Sequence, residues 1–166
     1  KSKNKVISFI DKLNERINII VIENSDDNSI KEDLNKIKNV DLIFSENNGY
    51  GSAINLARKS INTDYFIVFN PDVDGVSENI LKRFIDIGKR LNDNYACIGP
   101  RYKNISKKTL IKSNKNKEID TLSSISGASM FFHKKNFDLL NGFDENFFLY
   151  FEETDYCLRA KKIGLK

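Results

Sequence analysis

Tyr65-Phe66-Ile67-Val68-Phe69-Asn70-Pro71-Asp72-Val73-Asp74-Gly75 is the stretch on which the fold turns. Its unbroken run of β-branched and aromatic residues reads as a strand buried on both faces, as in a parallel sheet covered by helices. The run ends abruptly at Asn70, and Pro-Asp and Asp-Gly are turn signals. Outward from it, residues 17–22 (INIIVI) and 40–44 read as further strands, with 96–98 and 130–132 as shorter ones. Helical spacing marks residues 5–14, with Val6, Ile7, Phe9, Ile10 and Leu13 on one side. Ser29 is placed to cap a short helix, with Glu32 completing a capping box. Residues 51–61 form a helix entered from a glycine turn. Ser77 caps a long helix whose inner face carries Ile80, Leu81, Phe84, Ile85 and Leu91. Residues 134–140 stop at Asn141-Gly142, and 152–163 stop at Gly164. Strands alternating with helices predict an α/β fold with a mostly parallel sheet flanked by helices.

Composition narrows the classes. The 166 residues suit one domain. Apolar residues at 40% and charged residues at 30% suit a globular chain rather than a disordered one. No apolar run approaches the roughly 20 residues of a membrane-crossing helix. The first residues interleave charges with apolar positions, unlike a signal peptide. A single histidine, His133, excludes a His-built zinc site and argues against Ser-His-Asp chemistry, which leaves acid–base and metal work to carboxylates. Cys97 and Cys157 are distant in sequence and form no metal motif, which points to a reducing, cytoplasmic setting. The net charge of +4 is too mild to argue for nucleic acid. Residues 101–117 hold seven Lys or Arg and no acid. They read either as a solvated loop or as a basic flap near a phosphate-bearing ligand or the inner face of an anionic membrane, with peripheral association.

In open α/β sheets, ligands bind at the carboxyl ends of strands. One such end carries Glu23-Asn24-Ser25-Asp26-Asp27, where a carboxylate can accept from a base N–H or hold a ribose hydroxyl, or simply form an acidic turn. Another carries Asn47-Asn48-Gly49-Tyr50-Gly51-Ser52-Ala53-Ile54-Asn55. Its glycines admit close approach of backbone to a ligand, and a helix N-terminus that favours anions follows, although neither a Walker A loop nor GxGxxG is present. At Asn70-Pro71-Asp72-Val73-Asp74, Asp72 and Asp74 can hold Mg²⁺ or Mn²⁺, and their i, i+2 spacing points both the same way on extended chain. Near the C-terminus an aromatic run delivers Glu152-Glu153-Thr154-Asp155 to a helix start, where acids are also good helix electrostatics. Asp155 and Arg159 are spaced i, i+4 for a salt bridge, with Glu152 on the same side. Glu153 is turned away and is the carboxylate most free to meet a substrate.

Taken in order, VIENSDD, NNGYGSAIN, FNPDVD, ISGASMFF and GFDENFFLYFEETDYCLRAKKIG resemble family 2 glycosyltransferases, the inverting, nucleotide-sugar-dependent enzymes of the GT-A fold. More narrowly the chain is similar to the rhamnosyltransferase-like branch that builds bacterial surface polysaccharides. The likeness spans roughly residues 5–164. It implies a nucleoside-diphosphate sugar as donor, with Glu23, Asn24, Asn48, Gly49, Gly51, Asn55 and Asn70 on the nucleotide-sugar side. Asn70-Pro71-Asp72 aligns with the family's DxD, its first Asp replaced by Asn. Asp72 is then the metal ligand, with Asp74 secondary, and Mg²⁺ or Mn²⁺ the cofactor. Gly127, Ala128 and Glu152 fall on the side of a glycan or lipid-linked acceptor. The second residue of Glu152-Glu153 takes the place of the catalytic base, a Glu where the family has Asp, with Asp155 its rival. The resemblance also implies a leading strand before Lys1 and further elements after Lys166, so that residues 1–166 are expected to be a truncated single domain. Two other readings stand beside this one. A sugar-phosphate nucleotidyltransferase would need a Gly-rich, cation-bearing triphosphate loop, which the chain does not display. A catalytically silent nucleotide-sugar-binding homologue or fragment would keep the binding residues alone.

Overall fold

The computed structural model describes residues 3–13, 16–101 and 118–166. The basic stretch 101–117 therefore lies outside the described residues, apart from Arg101, which pairs with Asp120 at 2.5 Å. In chain order the elements are α1 (Lys3–Ile10), β1 (Ile19–Glu23), a 3₁₀ turn (Asn28–Ile30), α2 (Lys31–Leu34), β2 (Val40–Phe44) and α3 (Tyr50–Arg58). Then come β3 (Tyr65–Phe69), α4 (Glu78–Arg90), β4 (Ser129–His133), α5 (Lys134–Leu139) and α6 (Glu152–Lys162).

The α/β class stands, but the sheet is not mostly parallel. β1 and β2 form one parallel pair, Ile19 opposite Val40 and Glu23 opposite Phe44. β3 and β4 form an antiparallel pair, Tyr65 opposite His133 and Phe69 opposite Ser129. Among the described residues no ladder joins the two. The reversal has a visible cause. The segment leading into β4 arrives at the carboxyl end of β3, where the Asn70 N–H donates to the Ala128 carbonyl at 2.9 Å. The chain enters β4 from that end and can only run back along β3. The strand expected at 96–98 shrinks to a single antiparallel bridge, Ile98 to Phe131, because Gly99 and Pro100 follow at once and proline cannot donate to a ladder.

Burial on both faces of the β3–β4 pair explains the unbroken apolar runs. Successive residues of β4 point to opposite sides. Phe132 faces α5 and α6, stacking on its cross-strand partner Phe66 at 5.0 Å and meeting Phe137 and Tyr156 edge-on at 4.9 and 5.5 Å. Phe131 faces α4, against Phe84 at 5.5 Å and Tyr95 at 6.2 Å. A separate core under β1 and β2 is built from Ile10, Ile30 and Leu34 of the α1–α2 side. α1 also reaches the other pair, Phe9 lying 5.3 Å from Phe69.

Local signals were mostly met. Ser77 caps α4, its side chain accepting from the Ile80 N–H. Ile80 itself is exposed rather than on the inner face, because it lies in the first turn before α4 reaches the sheet. Ser29 does not cap the short helix. The short helix starts from Ile30 with no side-chain cap, and it is the preceding 3₁₀ turn that is capped, by Asp27, whose carboxylate accepts from the Ser29 N–H at 3.0 Å. α5 and α6 end with Asn141, Gly142 and Gly164 in left-handed conformations, at φ 58°, 70° and 86°.

Phe132 is fully buried and touches four other rings. Phe132→Ala should cost about 3–5 kcal/mol in denaturant unfolding. A loss under about 1 kcal/mol would show that this cluster is not the core.

Candidate active site

The site is assembled around the turn between α5 and α6. Asn55 of α3 grips it as a peptide would: its Nδ2 donates to the Phe143 carbonyl at 2.8 Å, and its Oδ1 accepts from the Phe143 N–H at 3.0 Å. The same amide donates to Glu145 at 2.9 Å. In this structure the Asn55 side chain is thus engaged by the turn. Arg159 of α6 holds the turn from the other side, donating to the carbonyls of Leu140 at 2.5 Å and Gly142 at 2.8 Å.

The glycines of the second motif face the same region. Gly49 opens α3 at φ 100°, and a Cβ there would run into the Phe148 backbone, its Cα 2.8 Å away. The following N–H, that of Tyr50, donates to the Phe148 carbonyl at 3.0 Å. A Cβ on Gly51 would meet Phe143 at 2.9 Å and Glu152 at 3.6 Å. Both glycines therefore let α3 seat directly on the segment that leads into α6. Tyr50 extends the contact, its hydroxyl donating to the Gly127 carbonyl. Since Ala128 pairs with Asn70, a continuous chain of contacts joins the α3 start, the 127–128 segment, the β3 end and the α6 start.

α6 begins sharply. Tyr150 and Phe151 both adopt left-handed backbone, at φ 69° and 73°. Such a conformation costs a non-glycine residue roughly 1–2 kcal/mol, and such outliers cluster at functional sites. The aromatic run lies open: Phe148, Tyr150 and Phe151 are 58%, 69% and 67% exposed. Directly after it, Glu152 is buried at 4% exposure. Burial pushes the Glu152 carboxyl above the usual glutamate range, and the neighbouring Glu153 adds to the shift. Glu153 is half-buried, and its Oε2 is shielded from solvent with no hydrogen-bond partner among the described residues. Asp155 forms the salt bridge expected with Arg159, at 2.6 Å. Its carboxylate is therefore tied to the residue that holds the turn.

The remaining residues sit at strand ends. Glu23 closes β1, buried, with one oxygen accepting from the Ser25 N–H at 2.6 Å and from the Ser25 hydroxyl. Asn24 is half-buried beside it and Asn48 is exposed before α3. Beyond β3, the carboxylates of Asp72 and Asp74 are 61% and 93% exposed; Asp72 lies 4.0 Å from Lys5 of α1 and Asp74 lies 3.5 Å from Lys12 in the turn after it. These lysine partners are not visible in the sequence, because nothing in the spacing of residues 3–13 relates them to the β3 end. Among the described residues, no group of three or more His, Cys, Asp or Glu stands close enough to hold a metal alone. A divalent cation of the Mg²⁺ type takes one or two carboxylates and completes its shell with phosphate oxygens and water, so Asp72 and Asp74 would need further ligands to hold one. A cleft of about 720 Å³ lies elsewhere, behind Asn55 between Arg58, Lys134, Asp138 and Arg159. Of its cations, Arg58 and Lys134 are paired with Asp138 and Arg159 with Asp155, and Lys59 lines it as well.

No family model matches the chain. The chain is similar to the low-salt glycan biosynthesis hexosyltransferase Agl10 of Haloferax volcanii, with 22% identity over 184 aligned positions that take in 98% of this chain. The chain spans 59% of the length of that relative.

The raised Glu152 gives a pH test. The folded state holds its proton more tightly than the unfolded chain, whose glutamates titrate near 4.3, so its contribution to stability is lost as pH rises through the folded value. Glu152→Gln should raise the melting temperature at pH 7 and give no gain near pH 4. An equal change at both would assign the effect to packing.

Proposed function

We propose that the chain carries the catalytic domain of an inverting family 2 glycosyltransferase of the GT-A fold. In this reading it moves a sugar from a nucleoside-diphosphate donor to a hydroxyl of a glycan or lipid-linked acceptor, and residues 1–166 form one domain. Rhamnose is the donor sugar to which the branch resemblance leans. The observation that carries the proposal is the division of labour in the first turn of α6. Asp155 is bound to Arg159, whereas Glu153 keeps a shielded oxygen without a protein partner.

A base must lie within hydrogen-bond reach of the proton it takes. In the proposed reaction Glu153 accepts the acceptor hydroxyl's proton as that oxygen attacks the anomeric carbon. The bond from that carbon to the donor's diphosphate oxygen breaks, its electron pair leaving with the diphosphate. Glu23 and Asn24 hold the base or ribose, and Asn48, Gly49, Gly51 and Asn70 border the donor. Asn55 acts by holding the 142–145 turn in place. Gly127, Ala128 and Glu152 border the acceptor, and the open aromatic run at 148–151 forms its outer wall. Asp72 and Asp74 would hold the divalent cation, whose chemistry when bound is to offset charge on the departing diphosphate. Association with a membrane surface through residues 101–117 belongs to the same proposal. Among the described residues, no helix is long and apolar enough to cross a membrane.

With a panel of nucleoside-diphosphate sugars, Glu153→Gln should leave donor binding intact and lower transfer by roughly 10²- to 10⁴-fold. Asp155→Asn should lower stability and spare the chemical step. Loss of transfer in Asp155→Asn with Glu153→Gln active would reverse the assignment. Asp72→Ala should abolish the Mn²⁺-dependent part of nucleoside diphosphate binding in calorimetry, with Asp74→Ala weaker in effect. Undiminished binding in Asp72→Ala would remove the metal role.

A further inference from the structure

Cys97 and Cys157 are separated by 60 residues in the chain, yet their Sγ atoms lie 3.7 Å apart. Two structural accidents of the fold bring them together. The Ile98–Phe131 bridge lays residues 96–98 along the outer edge of β4. The C-terminal half of α6 then packs on that segment, with the Tyr156 hydroxyl donating to the Ala96 carbonyl at 3.3 Å and the Ala96 N–H donating to the Lys166 carbonyl at 2.6 Å. Both cysteines are free thiols, and both are half-buried. A disulfide brings the sulfurs to about 2.05 Å, so the two already stand next to one another with no atom between them on the way to a bond.

The two sulfurs are not equivalent. The Ile125 backbone N–H donates to the Cys157 sulfur, which favours its thiolate, and the two thiols share a hydrogen bond in which either sulfur can donate. Burial and the adjacent sulfur push the Cys97 thiol up. The Ile125 N–H beside Cys157 makes it the attacking sulfur in the step set out below, with Cys97 as the resolving thiol.

We propose that Cys97 and Cys157 are an oxidative modification site, converted by a peroxide into a disulfide that fastens α6 to the 96–98 segment. Cys157 thiolate attacks one peroxide oxygen. The O–O bond breaks, leaving a sulfenic acid on Cys157 and releasing hydroxide, which takes up the proton that Cys157 gave on ionising. Cys97 then attacks the Cys157 sulfur. The S–S bond forms, the S–O bond breaks, and the hydroxyl leaves as water with the Cys97 proton. Overall two thiols are oxidised and one peroxide is reduced to two waters. Glu153 lies one helical turn before Cys157, so the link would anchor the helix that carries it. The site stands on the sulfur geometry and is independent of the reaction assigned to Glu153.

The test is hydrogen peroxide added to the folded chain, read by intact mass and by peptide mapping without reductant. The expected product is a chain that has lost two hydrogens, with Cys97 and Cys157 in one cross-linked peptide that a thiol reductant separates. In Cys97→Ser the sulfenic acid on Cys157 has no resolving thiol and should be trapped by dimedone, which should leave the wild-type chain unlabelled. Oxygen gain on either sulfur of the wild type, a link between two chains, dimedone labelling of the wild type, or an unmodified wild-type chain would each overturn the proposal.

Discussion

One amide and one guanidinium hold the turn on which the rest of the site depends. Asn55 pairs with both backbone polar groups of Phe143, and Arg159 caps two carbonyls a few residues earlier. A buried turn must find partners for such groups, since an unsatisfied one costs about 1–3 kcal/mol. Here the partners come from α3 and α6, so satisfying the turn also fixes the two helices relative to each other. The glycines then set how closely α3 approaches. With Cβ atoms at 49 and 51 the α3 start would be forced off Phe148 and Phe143, and the links through Tyr50 to Gly127 would be broken.

Much of the local structure was legible because it depends on neighbours in sequence. The β3 run, the Ser77 cap, the Asn141-Gly142 and Gly164 stops and the Asp155–Arg159 pair are all short-range patterns. The direction of β4 was not legible. A strand buried on both faces looks the same from its own residues whether its neighbour is parallel or antiparallel. What decides it is the Asn70–Ala128 contact, which joins residues far apart in the chain. Ser29 does not cap the short helix, because a 3₁₀ turn capped by Asp27 takes in Ser29 and the helix begins only after Ile30.

The candidate site shows the same division. Its residue types and their order were visible, and so was the contrast between Glu153 and Asp155, because helical spacing alone separates those two. The occupancy of each group was not visible. Asn55 was expected to face a ligand, and its amide turned out to be spent on Phe143 and Glu145. Asp72 and Asp74 read as bare carboxylates, but Lys5 of α1 stands within reach of the first and Lys12, just past α1, within reach of the second. The cysteines read as unrelated until the fold placed their sulfurs side by side.

The paired left-handed residues Tyr150 and Phe151 act as a phase lock on α6. Helix–coil boundaries ordinarily fray by a residue or two, because adding one more turn costs little. Here an extension toward the N-terminus would need both residues to cross from left- to right-handed backbone, which would swing the preceding aromatic run off Gly49. The first helical residue is therefore pinned at Glu152, and the angular positions of Glu152, Glu153 and Asp155 around the helix axis are pinned with it. Which carboxylate points inward and which meets Arg159 is thus decided before the helix begins, by two residues that contribute no charge.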